Sequence, residues 1–260
     1  ALLRPAMRYV FLIAYDGTHF AGSQRQKNAR TVQGVLEETA AGIFGAPVRI
    51  ALSGRTDAGV HAAGQIGQAD GDTAVPPGKL AEVMSRHLPD DVKMLKSAAA
   101  PEGFDCTRAV RQKTYCYRFY CSRTEHPLLS RYAVRLEREP ELGRMRAVCP
   151  LIEGEHDFAA FRATGSSART TVRTVFSLLV DRRTVYGVPV YEIRVTGNGF
   201  LYNMVRILAG GLYAVGCGIA DGKDILSAFE TGERAKLYRT LPAAGLTLEH
   251  VDYGFPLFGI

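Results

Sequence analysis

Cysteine is scarce in this chain: five in 260 residues, an odd number, with no Cys-x-x-Cys among them. That argues against a disulfide framework and against a cysteine-built zinc site, and it fits reduced thiols in a cytosolic protein. Long hydrophobic runs are missing too. The longest uncharged apolar stretch, Ile207 to Ala220, is too short and too glycine-rich to span a bilayer. No signal peptide is expected, because no long apolar segment follows the charge at Arg4, and Met7 is a candidate native start. Neither Gly-x-Gly-x-x-Gly nor Gly-Lys-Ser/Thr occurs, which removes the glycine-loop nucleotide enzymes. The two halves of the chain are alike in rhythm but not in sequence, and no tract is of low complexity.

What is present is ordinary for a globular protein: 47% hydrophobic and 22% charged residues. The length suits one large domain or two small ones and can bury a core without staples. The net charge of +6 suits an anionic partner. It is unevenly spread. Segment 108–183 holds 15 basic against 8 acidic side chains, nearly all the basic ones arginine. Arginine matches phosphate geometry, although a solvated charged surface would look the same in composition.

The pattern mixes strands and helices in an α+β arrangement rather than strict βαβ alternation. Strands are expected at Tyr9–Ala14, 48–52, Ala62–Ala69, Asp91–Lys96, Thr114–Tyr120, Val175–Val180, Val190–Val195 and Leu246–Val251. Helices are expected after the Thr31 cap, over Gly78–Leu88, Glu141–Cys149 and Leu201–Val215, and after the Asp221 cap. Ser97 to Gly103 reads as a linker between domains at 7–100 and 104–260.

The most informative run is Ser53-Gly54-Arg55-Thr56-Asp57-Ala58-Gly59-Val60-His61-Ala62. It follows a strand-like segment and is too polar and flexible to be buried strand, so it reads as a displayed loop. Gly54 and Gly59 allow a sharp turn or a close approach to a ligand. Spacing alone leaves two readings of Asp57: a reactive carboxylate, or an Asx-turn that binds its own backbone. The run closely resembles the signature of the tRNA pseudouridine synthase A family, in which this aspartate is catalytic. The resemblance extends along nearly the whole chain. Tyr15-Asp16-Gly17 and Gly22-x-Gln24-x-Gln26 resemble the family's first motif, with Ser23 where the family commonly has Trp; the chain has no tryptophan at all. Phe104-Asp105-Cys106-Thr107 departs from the family's Phe-x-Ala-Arg, and Arg108 is displaced by one.

The resemblance implies further roles. Tyr115 matches the tyrosine that packs against the target base, which suits its flat face and polar hydroxyl. As a strand aromatic it could equally be core, and some of Tyr115, Tyr117 and Phe119 must be, since they share one face. Arg206 lies in an otherwise apolar helix, where a charge is costly unless paired. The resemblance makes Asp57 its partner; the alternative is an arginine that snorkels to solvent. Leu246, after Pro242-Ala243-Ala244-Gly245, matches an apolar residue beside the catalytic pocket. Arg55 is expected to hold a phosphate or fill the gap left by a flipped nucleotide. Arg162, Arg169 and Arg173 are candidate RNA contacts. His61 is expected to make a loop contact rather than act as base. His156 and Asp157 lack a third metal ligand nearby.

The family's fold is two ferredoxin-like or RNA-recognition-like α/β domains whose antiparallel sheets meet at a central cleft. Its reaction breaks the C1′–N1 bond of uridine and joins C1′ to C5 of the same ring. Nothing is oxidised or transferred away, so neither cofactor nor metal is expected. Asp57 would act as nucleophile or as base, and both stay open. The resemblance further implies tRNA as partner, uridines 38–40 of the anticodon stem-loop as target, a homodimer, and a cytoplasmic site of action. The competing readings are a non-catalytic RNA-binding protein and a synthase directed to another tRNA position.

Overall fold

The structure is a computed structural model and describes residues 7–165, 168–234, 237 and 239–258. The segment 1–6, where no signal peptide was expected, lies outside the described residues. The chain divides into two compact units, one formed by residues up to Arg111 with those from Leu248 onward, the other by Gln112–Thr247.

The first unit contains β1 (Met7–Tyr15), α1 (Val32–Phe44), β2 (Ile50–Leu52), β3 (His61–Gly71), α2 (Leu80–His87) and β4 (Val92–Ala99). β1 pairs antiparallel with both β3 and β4, and β2 pairs antiparallel with β3. Tyr9, Val10, Phe11, Ile13 and Tyr15 of β1 are all buried, so this central strand is covered on both faces. Thr31 caps α1 as its sequence predicts, its hydroxyl accepting from Gly34 N–H at 3.2 Å. Val32, Leu36 and Ala40 supply the buried face. The expected linker at 97–103 begins later than the sequence suggests. Ser97, Ala98 and Ala99 continue β4, paired with Phe11, Val10 and Tyr9. Small side chains carry little strand preference, and the neighbouring strand supplies what they lack.

The second unit contains β5 (Gln112–Cys121), β6 (Val134–Leu136), α3 (Leu142–Ile152), β7 (Gly154–Asp157), β8 (Val172–Val185), β9 (Val188–Gly197), α4 (Met204–Gly216) and α5 (Gly222–Thr231). Its sheet runs in the order β5-β9-β8-β7, antiparallel throughout, with β6 added parallel to β5. β8 and β9 are longer than the apolar runs predict. Tyr186 and Gly187 both have positive φ, 50° and 76°, which is the two-residue turn that keeps strands paired up to it. Asp221 caps α5 in a reciprocal box with Asp224. The last strand, β10 (Leu246–Asp252), was expected to belong wholly to the second half. Its residues from Leu248 group instead with the first unit, where β10 lies beside β3. Both units are therefore mixed α and β on mostly antiparallel sheets.

α3 packs on β8 and α4 on β5. Under them Phe119 stacks on Tyr191, centroids 4.9 Å apart with planes 3° from parallel, and meets Tyr213 of α4 edge-on at 5.6 Å. All three rings are buried. Phe119→Ala should cost about 3–5 kcal/mol through lost burial and the cavity left behind. Thermal or denaturant melting of the two proteins measures it. Among the described residues no helix is long and apolar enough to cross a membrane.

Candidate active site

Asp57 stands in the loop that joins β2 to β3, and the chain around it is tied down from beneath. Ser53 donates its N–H to the Ile66 carbonyl at 2.8 Å and its hydroxyl to Gln65 Oε1 at 2.6 Å. The buried Gln65 amide then donates to the Gly54 carbonyl at 2.9 Å. Thr56 is buried, and its hydroxyl shares a 2.7 Å hydrogen bond with the Tyr15 hydroxyl. Burial pushes the Tyr15 phenol up to about 12, so it stays neutral and keeps its proton for this network. Val60 N–H closes the turn onto the Asp57 carbonyl at 3.1 Å. Above this floor Asp57 is half-buried, while Arg55 and Ala58 are exposed. The loop thus presents one carboxylate and one guanidinium on a fixed backbone.

His61 opens β3 and is buried. Its Nδ1 accepts from Gly17 N–H at 3.0 Å and lies 3.2 Å from Asp16 Oδ1. It joins the first motif to the loop, which is a positional duty.

The remaining expected site residues belong to the second unit. Of the three aromatics on one face of β5, Tyr117 and Phe119 are core. Tyr115 is largely covered as well, its ring edge-on to Phe200 at 5.2 Å. Arg206 is half-buried on α4 and does not simply extend into solvent. Its Nε donates to the Leu241 carbonyl and its Nη1 to Asn203 Oδ1, each at 2.7 Å. Those two bonds fix the plane of the guanidinium. Asn203 itself has φ of 61°, a left-handed conformation that asparagine tolerates better than most residues. Just downstream of Leu241, the Pro242 carbonyl accepts from the Tyr117 hydroxyl at 2.8 Å. Gly245 fits because any Cβ there would lie 2.6 Å from the Arg118 carbonyl. Segment 241–246 is thereby held against both α4 and β5, and it brings the buried Leu246 to the strand that carries Tyr115.

The three candidate RNA-contact arginines differ. Arg162 and Arg169 are exposed. Arg173 turns back on its own chain, its Nη1 donating to the carbonyls of Thr170 at 3.1 Å and Val172 at 2.6 Å. Burial pulls its pKa down from the ordinary arginine value. His156 stacks on Phe229 at 4.5 Å and Asp157 accepts from Ala159 N–H, so both have structural duties. Among the described residues no three His, Cys, Asp or Glu side chains group as metal ligands. Sequence reading missed the Tyr15–Thr56–Gln65–Ser53 network. A long-range signal of this kind is absent from local patterns, since Tyr15 is 41 residues from Thr56.

The Asp57 loop, a carboxylate on a bonded floor, sits in a mixed α/β protein of net charge +6. The family model for tRNA pseudouridine synthase matches residues 12–107 and 148–254. The tRNA pseudouridine synthase A of Syntrophotalea carbinolica is 40% identical over 244 residues, covering 93% of this chain and 94% of its own. Those of Acetivibrio thermocellus and Caldicellulosiruptor bescii are each 36% identical, covering 93% and 95% of this chain and 98% and 100% of theirs. A chain of a Cbf5-Nop10-Gar1 complex aligns with a TM-score of 0.34 at 12% identity, over 79% of this chain and 45% of its own, too low a likeness to bear on the fold. The chain belongs to the tRNA pseudouridine synthase A family, isomerases that convert uridine to pseudouridine in tRNA.

Proposed function

We propose that this synthase modifies uridines 38–40 of the anticodon stem-loop with Asp57 as its catalytic residue. The observation that carries the assignment is the loop itself: the backbone is bonded at Ser53, Gly54, Thr56 and Val60, and Asp57 is displayed between them. A carboxylate held this way can attack C1′ or take a ribose proton without first paying for reorganisation. Tyr115 is assigned to the face of the detached uracil, Leu246 to the apolar wall beside it, and Arg55 to a flanking phosphate. Arg206 is assigned to Asp57, since a guanidinium beside a carboxylate favours its ionised form. Arg162, Arg169 and Arg173 are assigned to the RNA backbone; Arg162 and Arg169 are exposed. A homodimer acting in the cytoplasm completes the reading.

Nucleotide-resolution mapping of pseudouridine in tRNAs treated with the protein tests the target. Modification confined to 38–40 is expected; modification elsewhere would assign another position. Because the isomerisation conserves every atom and oxidation state, EDTA should leave turnover unchanged once the tRNA is folded. Lost activity restored by zinc alone would overturn that expectation.

A further inference from the structure

Ser23 sits in the first motif, is 1% exposed, and reaches the residue that precedes Asp57. Its hydroxyl accepts from Thr56 N–H at 2.8 Å, while its own N–H donates to the Thr56 carbonyl at 3.0 Å. The two peptide groups of Thr56 are therefore both held by one residue. The main-chain bond would survive most substitutions at position 23; the hydroxyl bond would not.

Ser23 is itself anchored. Its carbonyl accepts from Gln33 N–H of α1 at 2.9 Å, and Gly22 beside it has φ of 100°, closed to most side chains. Gln33 also accepts from Arg25 N–H at 2.9 Å and donates to the Ile50 carbonyl at 2.9 Å. A continuous line of bonds thus runs from α1 through Ser23 to Thr56. The Tyr15 hydroxyl holds the Thr56 side chain from another direction. Asp57 is the next residue, and rotation of the peptide before it would carry its carboxylate along.

We propose that Ser23 is a positioning residue for the reaction: its hydroxyl fixes the Arg55–Thr56 peptide, while its main-chain N–H holds the Thr56–Asp57 peptide, and together they set the backbone from which Asp57 projects; the inference rests on Asp57 being catalytic. Without the hydroxyl, the buried Thr56 N–H loses its acceptor and must turn toward water or stay unsatisfied. Displacements near 1 Å at a reacting group lower rates by about 100-fold.

The test is a series of Ser23→Ala and Ser23→Cys beside the unaltered protein and Asp57→Asn. Turnover on tRNA, KM, tRNA binding and thermal melting are measured for each. Cysteine is the nearest replacement in shape, slightly larger than serine and a weaker acceptor. Ser23→Ala should lose about 10- to 100-fold in kcat, with KM and tRNA affinity changed by less than about twofold. Ser23→Cys should fall between. A purely structural role would lower melting and leave kcat per folded molecule intact. A folded Ser23→Ala protein with the original kcat, or Ser23→Cys no better than Ser23→Ala, overturns the proposal. Should Ser23→Ala not fold, Ser23→Cys decides alone: kcat reduced at constant KM supports the inference, and unchanged kcat sinks it. Normal turnover by Asp57→Asn would instead remove the catalytic assignment, whatever Ser23 does.

Discussion

Asp57→Asn should abolish pseudouridine formation and leave tRNA binding close to that of the unaltered protein. Asparagine has the same shape, and the bonds at Ser53, Gly54, Thr56 and Val60 that support the loop are made without the carboxylate. What disappears is the nucleophile or base. A lost general base costs about 10²–10⁴-fold, and a lost nucleophile removes the covalent route altogether. Affinity should persist because phosphate contacts supply most of it in protein–nucleic acid complexes. Single-turnover pseudouridine formation, compared with equilibrium tRNA binding, separates the two. Near-normal turnover would show that Asp57 is not the catalytic group.

Arg206→Met is expected to have the next largest effect. The guanidinium donates to the Leu241 carbonyl and to Asn203 Oδ1, and both acceptors would lose a charged donor. Hydrogen bonds to charged groups are worth about 1.5–3 kcal/mol each, so part of the loss should appear as lowered melting. The remainder should appear in chemistry. On the proposed pairing of Arg206 with Asp57, turnover should fall by more than the loss of folded protein accounts for. Arg206→Lys restores charge but not the planar fork that bonds Leu241 and Asn203 together, so rescue should be partial. Turnover is read on samples whose melting shows them folded. A folded Arg206→Met protein with the original turnover and a shallower salt dependence of tRNA binding would place Arg206 on the phosphate backbone instead.

Elements with strong local signals were legible in the chain alone. Thr31 and Asp221 announce their helices by capping chemistry that needs no distant partner, and β1 announces itself by an unbroken apolar run. The Asp57 loop was equally legible, because glycines and a polar core between two strands exclude regular structure. Tertiary structure decided the rest. Ser97–Ala99 became strand only because β1 offered its edge, and the Leu248–Asp252 part of β10 joined the first unit only by lying beside β3. Arg173 is bonded to the Thr170 and Val172 carbonyls of its own chain, contacts its residue type did not announce. Ser23 stood out only as a departure from the family's tryptophan, yet it holds Thr56 across 33 residues. Local pattern records a residue's own preferences; hydrogen bonds between distant segments form only after folding, when burial makes every unpaired polar group costly.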